Sequence, residues 1–494
     1  MMLETMIEKF RTQLEALSPE LQAHLADRQD LSAVEEALDG LWKDLYGDLV
    51  QALVQQWLSS PMVEACAQAV GASRGQRRKE TRPVTVTIRG DVEIDLKTDY
   101  FVKKPSKKKT SSKRKKRRGR GTGRSCYPAL EALGIHERCS LSWLSEVSEL
   151  AGLCPSMAVA CEVLKRRGVE IEVKRLRRMC KVLGQSGMLR RGRQAWPSGE
   201  AWRGATLVIQ VDGGRIRIRQ SKRGRKGRGR RRQGFRGEWR EPRQLVIYRL
   251  AQEGDKGEVL KPVYDATLSD HEGVMWLLTR YLKTVEMKQL SRVVVCGDGA
   301  AWIWKDVEAL CAKGTLPADR VVQVLDYTHA KQNLQELIDL LPAKVRGDRQ
   351  CQEQWKQWLW TGDVEAMGRA LRQHLRGKKR EQGLKKWEFF RKNAERLRYS
   401  EFQAQGLPCG SGAVESAIRR VINLRLKGPG IFWTRETAEC FLFLRAQMLS
   451  GRWEVFLANL HRERAQPFRA CLKAIAPAAN DAEKGAEQEV SEAA

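Results

Sequence analysis

The stretch that decides the fold is residues 207–212, LVIQVD, an apolar run of strand length that ends in an acid. The same pattern returns at residues 293–298, VVVCGD, and at residues 321–326, VVQVLD. Strand-like segments also cover residues 244–250 and 261–267, and helical patterns separate the later strands. Three strands in a meander, followed by strands that alternate with helices, predict a mixed α/β sheet flanked by helices.

This element order is that of an RNase H-like sheet, and we therefore predict an α/β RNase H-like domain at the centre of the chain. The remaining patterns predict the domains around it. They are a helical region over 1–78, a small β-hairpin over 79–102, a basic flexible linker over 103–124, a mainly helical region over 125–200, the sheet domain over 205–340 and 406–470, and a disordered acidic tail over 471–494.

The formal charge of +30 is concentrated in two places along the 494 residues. Residues 103–124 carry 13 Lys or Arg and residues 215–237 carry 12, with no acid in either stretch. The second stretch directly follows the first strand and is predicted to be a basic loop. Such concentrated charge indicates a polyanionic partner, because each phosphate that is neutralised releases counterions. An acidic membrane surface is the competing partner, but neither stretch interleaves apolar residues at helical spacing, and no run of 18 apolar residues predicts a membrane span.

The 12 cysteines form no CxxC pair, and together with the absence of a secretory leader they indicate reduced thiols in a cytosolic protein. Over residues 140–184, three helical patterns surround a glycine at position 168, and the third is rich in Lys and Arg. This arrangement is typical of a helix-turn-helix that reads DNA. An ordinary three-helix packing unit has the same pattern, and both interpretations stay open.

Acids stand at the points where chemistry is expected. Asp212 and Asp298 each end an apolar strand and each precede a glycine, which leaves space for a close backbone or phosphate approach. Taken singly, an Asp-Gly pair is more typical of a turn. A third acid, Glu415, lies in a predicted helix, where an exposed pair with Arg419 is the alternative interpretation. Hard carboxylates on neighbouring strand ends are the ligands that a pair of Mg²⁺ ions requires for phosphodiester chemistry.

Several spaced segments carry a family resemblance. They are VDGGRIRIR (211–219), EWREPRQL (238–245), CGDGAAWIW (296–304), LDYTHAKQNL (325–334), GLPCGSGAVESAIRRVINLRLKGPGIFW (406–433) and LRAQMLSGRWEVF (444–456). Together, over about residues 205 to 455, they closely resemble the DDE transposases of the ISKra-four type of bacterial insertion sequences.

This resemblance implies that Asp212, Asp298 and Glu415 are the catalytic and metal-binding acids, and that residues 341–405 are a helical insertion between the second and third of them. The cofactor would be two Mg²⁺ ions, for which Mn²⁺ can substitute. Asp212 would bridge both ions, while Asp298 and Glu415 would each hold one. Family members often carry Cys-x-x-Cys pairs after the hairpin, whereas this chain has Lys and Arg there, so no zinc is expected.

Further residues are predicted to support the acids or to contact DNA. Asp326 and His329 form a D-x-x-H unit similar to one in Mutator-like relatives, and a supporting role is favoured because His is a poor Mg²⁺ ligand. Trp302 is expected to stack on an unpaired base, although core packing is the better interpretation for at least one of Trp302 and Trp304. The residues predicted to contact DNA are Arg215, Arg217, Arg219, Lys222, Arg223, Arg225, Lys226, Trp302, Arg419, Arg420, Arg425, Lys427 and Trp433.

The sequence thus predicts a bacterial DNA transposase that cleaves and joins DNA at the ends of an insertion sequence. Its partners would be double-stranded DNA, at terminal inverted repeats and at the target, and further copies of the chain in a homodimer or larger oligomer. It would lie in the cytoplasm at the nucleoid, with no membrane partner. The competing hypotheses are a structure-specific nuclease or junction resolvase, a decayed transposase that only binds DNA, and a basic RNA-binding protein.

Overall fold

The computed structural model describes residues 2–26, 31–103, 125–191, 202–221, 234–250 and 262–492, with side chains described from residue 5 to residue 475. The chain divides into two compact units. The terminal unit comprises Met1–Ala151, Met157–Leu183 and Glu454–Ala494, and the central unit comprises Gly152–Ser156 and Gly184–Trp453. The predicted linker over 103–124 lies, apart from Lys103, outside the described residues.

Helices and one long hairpin build the terminal unit. Its elements are α1 (Met2–Ala26), α2 (Leu31–Leu58), α3 (Pro61–Ser73), β1 (Gln76–Thr87), β2 (Glu93–Lys103), α4 (Pro128–Ala132), β3 (Ile135–His136), β4 (Cys139–Ser140), α5 (Leu141–Leu153), α6 (Met157–Lys165) and α7 (Val173–Met188). The predicted hairpin forms, with Val86 opposite Ile94, and Gly90 adopts a φ of 78° in its turn. Its alternating apolar residues are buried beneath the helices, as the two-residue period of a half-buried strand requires.

The three helical patterns over 140–184 become α5, α6 and α7. On α7, Arg175 donates to Asp91 and Arg178 donates to Glu137, at 3.1 Å each. These two cations are therefore neutralised within the terminal unit. DNA reading by this region stays a prediction.

The central unit contains the predicted mixed sheet. Its elements begin with β5 (Thr206–Gly213), β6 (Ile216–Ser221), β7 (Phe235–Arg240), β8 (Arg243–Arg249), β9 (Val263–Thr267), α8 (His271–Leu282), β10 (Arg292–Gly297), α9 (Ala301–Ala312), β11 (Val321–Leu325) and α10 (Tyr327–Ile338). The strand order of the five-stranded sheet is β11-β10-β5-β8-β9. Strands β5, β8 and β9 are antiparallel neighbours, whereas β10 runs parallel to both β5 and β11. Strands β5 and β10 are buried along most of their length, in keeping with their largely apolar sequences, whereas residues 321–323 of the edge strand β11 are only partly buried.

Helices follow the sheet as predicted for residues 341–405. They are α11 (Ala343–Arg346), α12 (Arg349–Thr361), α13 (Val364–His374), α14 (Gly377–Lys392) and α15 (Tyr399–Ala404). The chain then forms α16 (Gly412–Ala417), a π-helical segment (Ile418–Asn423), α17 (Leu424–Leu426) and α18 (Arg435–Leu449). In the described residues, no helix has both the length and the apolarity needed to cross a bilayer.

Three features differ from the sequence prediction. The basic stretch 215–237 was interpreted as a loop, but its two ends form the antiparallel hairpin β6–β7. The last helix, α19 (Trp453–Glu492), runs through the stretch for which disorder was predicted, in keeping with the high helix propensity of its Ala and Glu residues. This helix belongs to the terminal unit from Glu454 onward, because Phe468 packs into that unit's core, so residues 454–470 are not part of the sheet domain.

The end of α7 also belongs to the central unit rather than to the helical region before it. The buried guanidinium of Arg191 pairs with the fully buried carboxylate of Asp265 on β9 and donates to Glu439 at 2.7 Å. Tyr281 donates a further hydrogen bond to Asp265 at 3.0 Å. A buried ion pair with its remaining lone pairs satisfied is costly to break, so this network ties residues 184–191 to the sheet.

Candidate active site

Three aspartates stand in a row at the carboxyl edge of the parallel strands. Gly297 on β10 pairs with Val211 on β5 and with Leu325 on β11. The residue that follows each of these three positions along the sequence is an aspartate, namely Asp212, Asp298 or Asp326. Residues in register on parallel neighbours project to the same face, so these three carboxylates share one face of the sheet.

The local backbone holds two of these acids in place. The Oδ1 of Asp212 accepts a hydrogen bond from the Gly213 amide at 2.6 Å, and the Oδ1 of Asp298 accepts one from the Ala300 amide at 2.9 Å. Gly299 adopts a φ of 90°, and a Cβ there would lie 2.7 Å from the Cδ1 of Leu325. Beside Gly213, the Glu241 carboxylate occupies the position of a Cβ.

The expectation that Gly213 and Gly299 leave space for a close backbone or phosphate approach is therefore wrong at the position that a Cβ would occupy. Neighbouring side chains fill the space beside both glycines, and at Gly299 the backbone conformation also favours glycine. Tight packing and a left-handed φ explain these residues without any ligand.

The surroundings of Asp212 raise the pKa of its carboxyl. Burial raises the pKa of its carboxyl to about 6, and the charges of Asp298 and Asp326 add to this effect. The Gly213 amide and His329 oppose it. A carboxylate that is raised in pKa by burial and like charge is relieved by a bound cation. The carboxylates of Asp212 and Asp298 therefore have the chemistry that a hard divalent ion prefers.

Asp326 has the opposite environment. Burial alone would raise the pKa of its carboxyl, but hydrogen bonds from His329 and Ser411 outweigh this and lower the pKa. Its oxygens accept from the His329 amide at 2.9 Å and from the Ser411 amide at 2.7 Å, and the His329 Nδ1 lies 2.7 Å away. The hydrogen bond to Asp326 in turn raises the pKa of His329. This carboxylate caps α10 and joins it to the loop before α16, which agrees with a supporting role.

Glu415 lies in the first turn of α16, above the same face. The Gln210 side chain, two residues before Asp212 on β5, accepts from the Val414 amide at 3.0 Å and donates to the Gly410 carbonyl at 3.2 Å. Since residues two apart on a strand share a face, Gln210 attaches the segment that carries Glu415 to the face toward which Asp212 projects. The carboxylate itself is exposed and accepts from the Ser411 hydroxyl at 3.1 Å.

The described residues contain no group of three or more His, Cys, Asp or Glu side chains that could hold a metal ion. Asp212 and Asp298 share a face over which the segment carrying Glu415 is bound, but within the described residues the three side chains do not form a ready three-ligand site. The chemistry of Asp212 and Asp298 fits a divalent cation. A ligand role for Glu415 stays a prediction.

The predicted DNA contacts fall into three classes. Arg215, Arg219, Arg419, Arg420 and Lys427 are exposed, whereas Arg217 is half-buried. Lys222, Arg223, Arg225 and Lys226 lie outside the described residues. Arg425 and Trp433 are buried, which is the third class.

The expectation that Arg425 and Trp433 contact DNA does not fit their burial. The Arg425 guanidinium lies 5.0 Å from the centre of the Trp433 ring and 5.1 Å from that of Phe441. The Trp433 indole donates to the Leu426 carbonyl at 3.0 Å, and its backbone amide donates to Arg217 on β6 at 2.9 Å. Trp433 therefore joins the β6–β7 hairpin to the segment between α17 and α18, and Arg425 packs against the Trp433 ring.

The two tryptophans after Asp298 also differ. Trp304 is buried in the core, as predicted for at least one of them, and the Arg396 guanidinium lies 4.6 Å from its ring centre. Trp302 is half-buried, with the Arg243 guanidinium 4.7 Å above its ring. Stacking of Trp302 on a base stays a prediction.

Sequence reasoning missed two residues that organise the site. Gln210 is polar within an otherwise apolar strand, and this was the signal that it has a buried hydrogen-bonding partner. Ser411 is buried and contacts both Asp326 and Glu415. The sequence indicated its importance only by its position in the segment 406–433, four residues before Glu415.

Comparison of the chain with family models, with curated proteins and with solved structures finds no match.

Proposed function

We propose that this protein is a DDE-type DNA transposase, which cleaves DNA at the ends of an insertion sequence and joins the freed ends to target DNA. The observation that carries the proposal is the shared sheet face. Asp212 and Asp298 end neighbouring parallel strands in register, and Gln210 binds the segment bearing Glu415 over the same face. The strand order, with a three-stranded antiparallel part and two added parallel strands, supports an RNase H-like assignment of this sheet.

The proposed reaction has two phosphoryl transfers. In the first, a water oxygen attacks the phosphorus at the element's end, and the bond to the 3′-oxygen breaks, which frees a 3′-hydroxyl. In the second, that hydroxyl attacks a target phosphodiester, and the target's own 3′-oxygen leaves. Bound Mg²⁺ or Mn²⁺ would supply activation of the attacking oxygen and charge stabilisation of the leaving oxygen.

Asp212 and Asp298 would hold the metal, with Glu415 as the third ligand. A pKa of about 6 leaves Asp212 mostly ionised at neutral pH, which is the form that binds a cation. The hydrogen bond to Asp326 raises the pKa of His329, which favours its protonated form beside these acids. Exposed Arg419 and Arg420 follow Glu415 on the same helical stretch and would contact the DNA backbone.

The partners follow from this function. They would be the terminal inverted repeats and target DNA, together with a second copy of the chain, because two ends must be held at once. The protein would act at the bacterial nucleoid in the cytoplasm, and no zinc is proposed.

Asp212→Asn tests the proposal directly. The substrate is a plasmid that carries the coding sequence with its flanking DNA, incubated with Mg²⁺. The wild type is expected to produce cleaved and joined products. The Asn variant is expected to lose at least about a thousandfold in rate, because a neutral amide is a poor Mg²⁺ ligand, while its DNA affinity is retained.

The products separate the competing hypotheses. Cut but unjoined ends would indicate a nuclease or resolvase, and DNA binding without any cleavage would indicate a decayed transposase. Preferential binding of RNA would favour the RNA-binding hypothesis. Full cleavage by Asp212→Asn would refute the proposed site.

A further inference from the structure

The β6–β7 hairpin has two chemically different faces. Side chains alternate along a strand, so Ile216 and Ile218 share one face, and both are buried. Arg217 and Arg219 share the other face. In the hairpin register Arg217 is opposite Trp239, and Ser221 is opposite Phe235, so the aromatic residues lie on the arginine face.

Large aromatic surface is exposed on this arginine face. The Trp239 side chain is 57% exposed and that of Phe235 is 37% exposed. Phe432 joins them, with its ring centre 5.1 Å from that of Phe235 in an edge-on arrangement. Its ring lies so close to Gly237 that a Cβ there would be 2.7 Å away. Clustered aromatics in solvent mark an interaction surface, because burying them elsewhere would be more favourable.

The arginines of this face are stacked on the aromatic rings. The Arg217 guanidinium lies 4.5 Å from the centre of the Phe432 ring and 5.5 Å from that of Trp239. The Arg219 guanidinium lies 4.3 Å from the centre of the Phe235 ring. The Arg217 guanidinium also donates a hydrogen bond to the Gly428 carbonyl. In the described part of the chain, neither guanidinium forms an ion pair with a carboxylate. Their positive charge therefore remains available to an anionic partner.

The sequence around the hairpin has the same sign of charge. Residues 222–233, which connect the two strands, contain eight Lys or Arg and no acid. The partner of this face must therefore be anionic and must also offer flat apolar surface to the aromatic rings. Unpaired nucleotides have both properties, since each joins a phosphate to a base with two free faces. Bases in a duplex have their faces covered by neighbouring pairs.

We propose that Arg217, Arg219, Phe235, Trp239 and Phe432 form a stacking surface for the unpaired bases of single-stranded DNA. The identification of the strand as DNA rests on the proposed function. The surface would hold a strand that is opened near a cleaved end, with bases against the aromatic rings and phosphates against the two guanidinium groups.

Binding of a labelled oligothymidine of about 15 nucleotides tests this surface in the full-length protein. Divalent ions are omitted so that nothing is cleaved. Trp239→Ala is expected to weaken binding about tenfold, the effect of losing one stacked base, while Trp239→Phe retains most of the affinity. Affinity for a blunt duplex should change by less than about twofold, because duplex binding depends on phosphate contacts.

Trp276 provides the matched control. It is 47% exposed on α8, and the Arg280 guanidinium lies 5.0 Å from its ring centre, so it is a similar pair outside the hairpin. Trp276→Ala should bind oligothymidine as the wild type does. Thermal unfolding of each variant establishes that it is folded.

Equal weakening of duplex and oligothymidine binding by Trp239→Ala would overturn the inference, and so would an unchanged affinity for oligothymidine. A larger loss for oligouridine would instead identify an RNA surface and would also overturn it. The proposed function is tested separately. Asp212→Asn should bind oligothymidine as the wild type does. In the wild type, oligothymidine binding without any cleavage would refute the proposed enzyme, whereas cleavage without an effect of Trp239→Ala on oligothymidine binding would refute only this surface.

Discussion

The ends of β5 and β11 look alike in sequence, yet their aspartates have opposite environments. Each acid follows an apolar strand, and the two strands flank the same neighbour, β10. Asp326 accepts hydrogen bonds from His329 and Ser411, and its pKa is lowered. Among the described residues, Asp212 accepts one backbone hydrogen bond, from the Gly213 amide, and burial raises its pKa to about 6. The number of hydrogen-bond donors around each carboxylate thus separates Asp326, which stabilises the fold, from Asp212, which binds a cation under the proposed function.

The largest expected effect is on stability at Asp326. Asp326→Ala should lower the free energy of unfolding by about 3 to 5 kcal/mol, because it leaves the buried amide of Ser411 and the helix start at His329 without an acceptor. Chemical denaturation measures this loss. The control is Asp319→Ala, at an acid that is 73% exposed, for which the change should be small. A loss at Asp326 no greater than at Asp319 would contradict the structural role.

A smaller effect of opposite sign is expected at Asp212. Its folded pKa of about 6 lies above the ordinary aspartate value of 3.8, so ionisation opposes folding as the pH rises through this interval. Without divalent ions, Asp212→Asn should therefore be more stable than the wild type at pH 7, and not at pH below 3.8. The gain should be about 1 to 2 kcal/mol, since each tenfold change in proton affinity is about 1.4 kcal/mol and residual hydration screens part of it.

Adding Mg²⁺ at pH 7 should make the wild type more stable than Asp212→Asn. The wild type should gain thermal stability with Mg²⁺ at pH 7 and lose this gain as the pH falls through about 6, because protonation of Asp212 competes with the cation. Asp212→Asn should respond weakly to Mg²⁺ at every pH. Melting temperatures that respond equally in both proteins would mean that the cation binds elsewhere.

The smallest effect on stability is expected at Glu415. Its carboxylate is exposed and accepts one hydrogen bond from Ser411, so Glu415→Gln should change the free energy of unfolding by less than about 0.5 kcal/mol. The same variant should lose cleavage activity if the acid is a ligand. Normal cleavage by a stably folded Gln variant would show that Glu415 is not a ligand. The contrast between Asp212 and Asp326 would not be affected by that result.

Much of the fold was predictable because the buried residues of a strand or helix recur at a regular spacing along the sequence. The β1–β2 hairpin and the three apolar strands follow from the spacing of apolar residues, whereas the helical insertion over 341–405 was implied by the family resemblance. The β6–β7 hairpin was missed although Ile216 and Ile218 alternate with arginines, because its density of charge resembled that of a flexible loop. The roles of Arg425 and Trp433 were not predictable, since exposed and buried arginines look identical in a sequence.

By itself, the sequence determined that three apolar strands end in aspartates and that the positive charge is gathered into two stretches. Both properties depend only on the order of residues along the chain. The tertiary structure alone decided which aspartate is supplied with donors, that Gln210 attaches the Glu415 segment above Asp212, and which hairpin face carries the exposed rings. The physical reason is that hydrogen bonds and desolvation depend on neighbours brought together from distant parts of the chain.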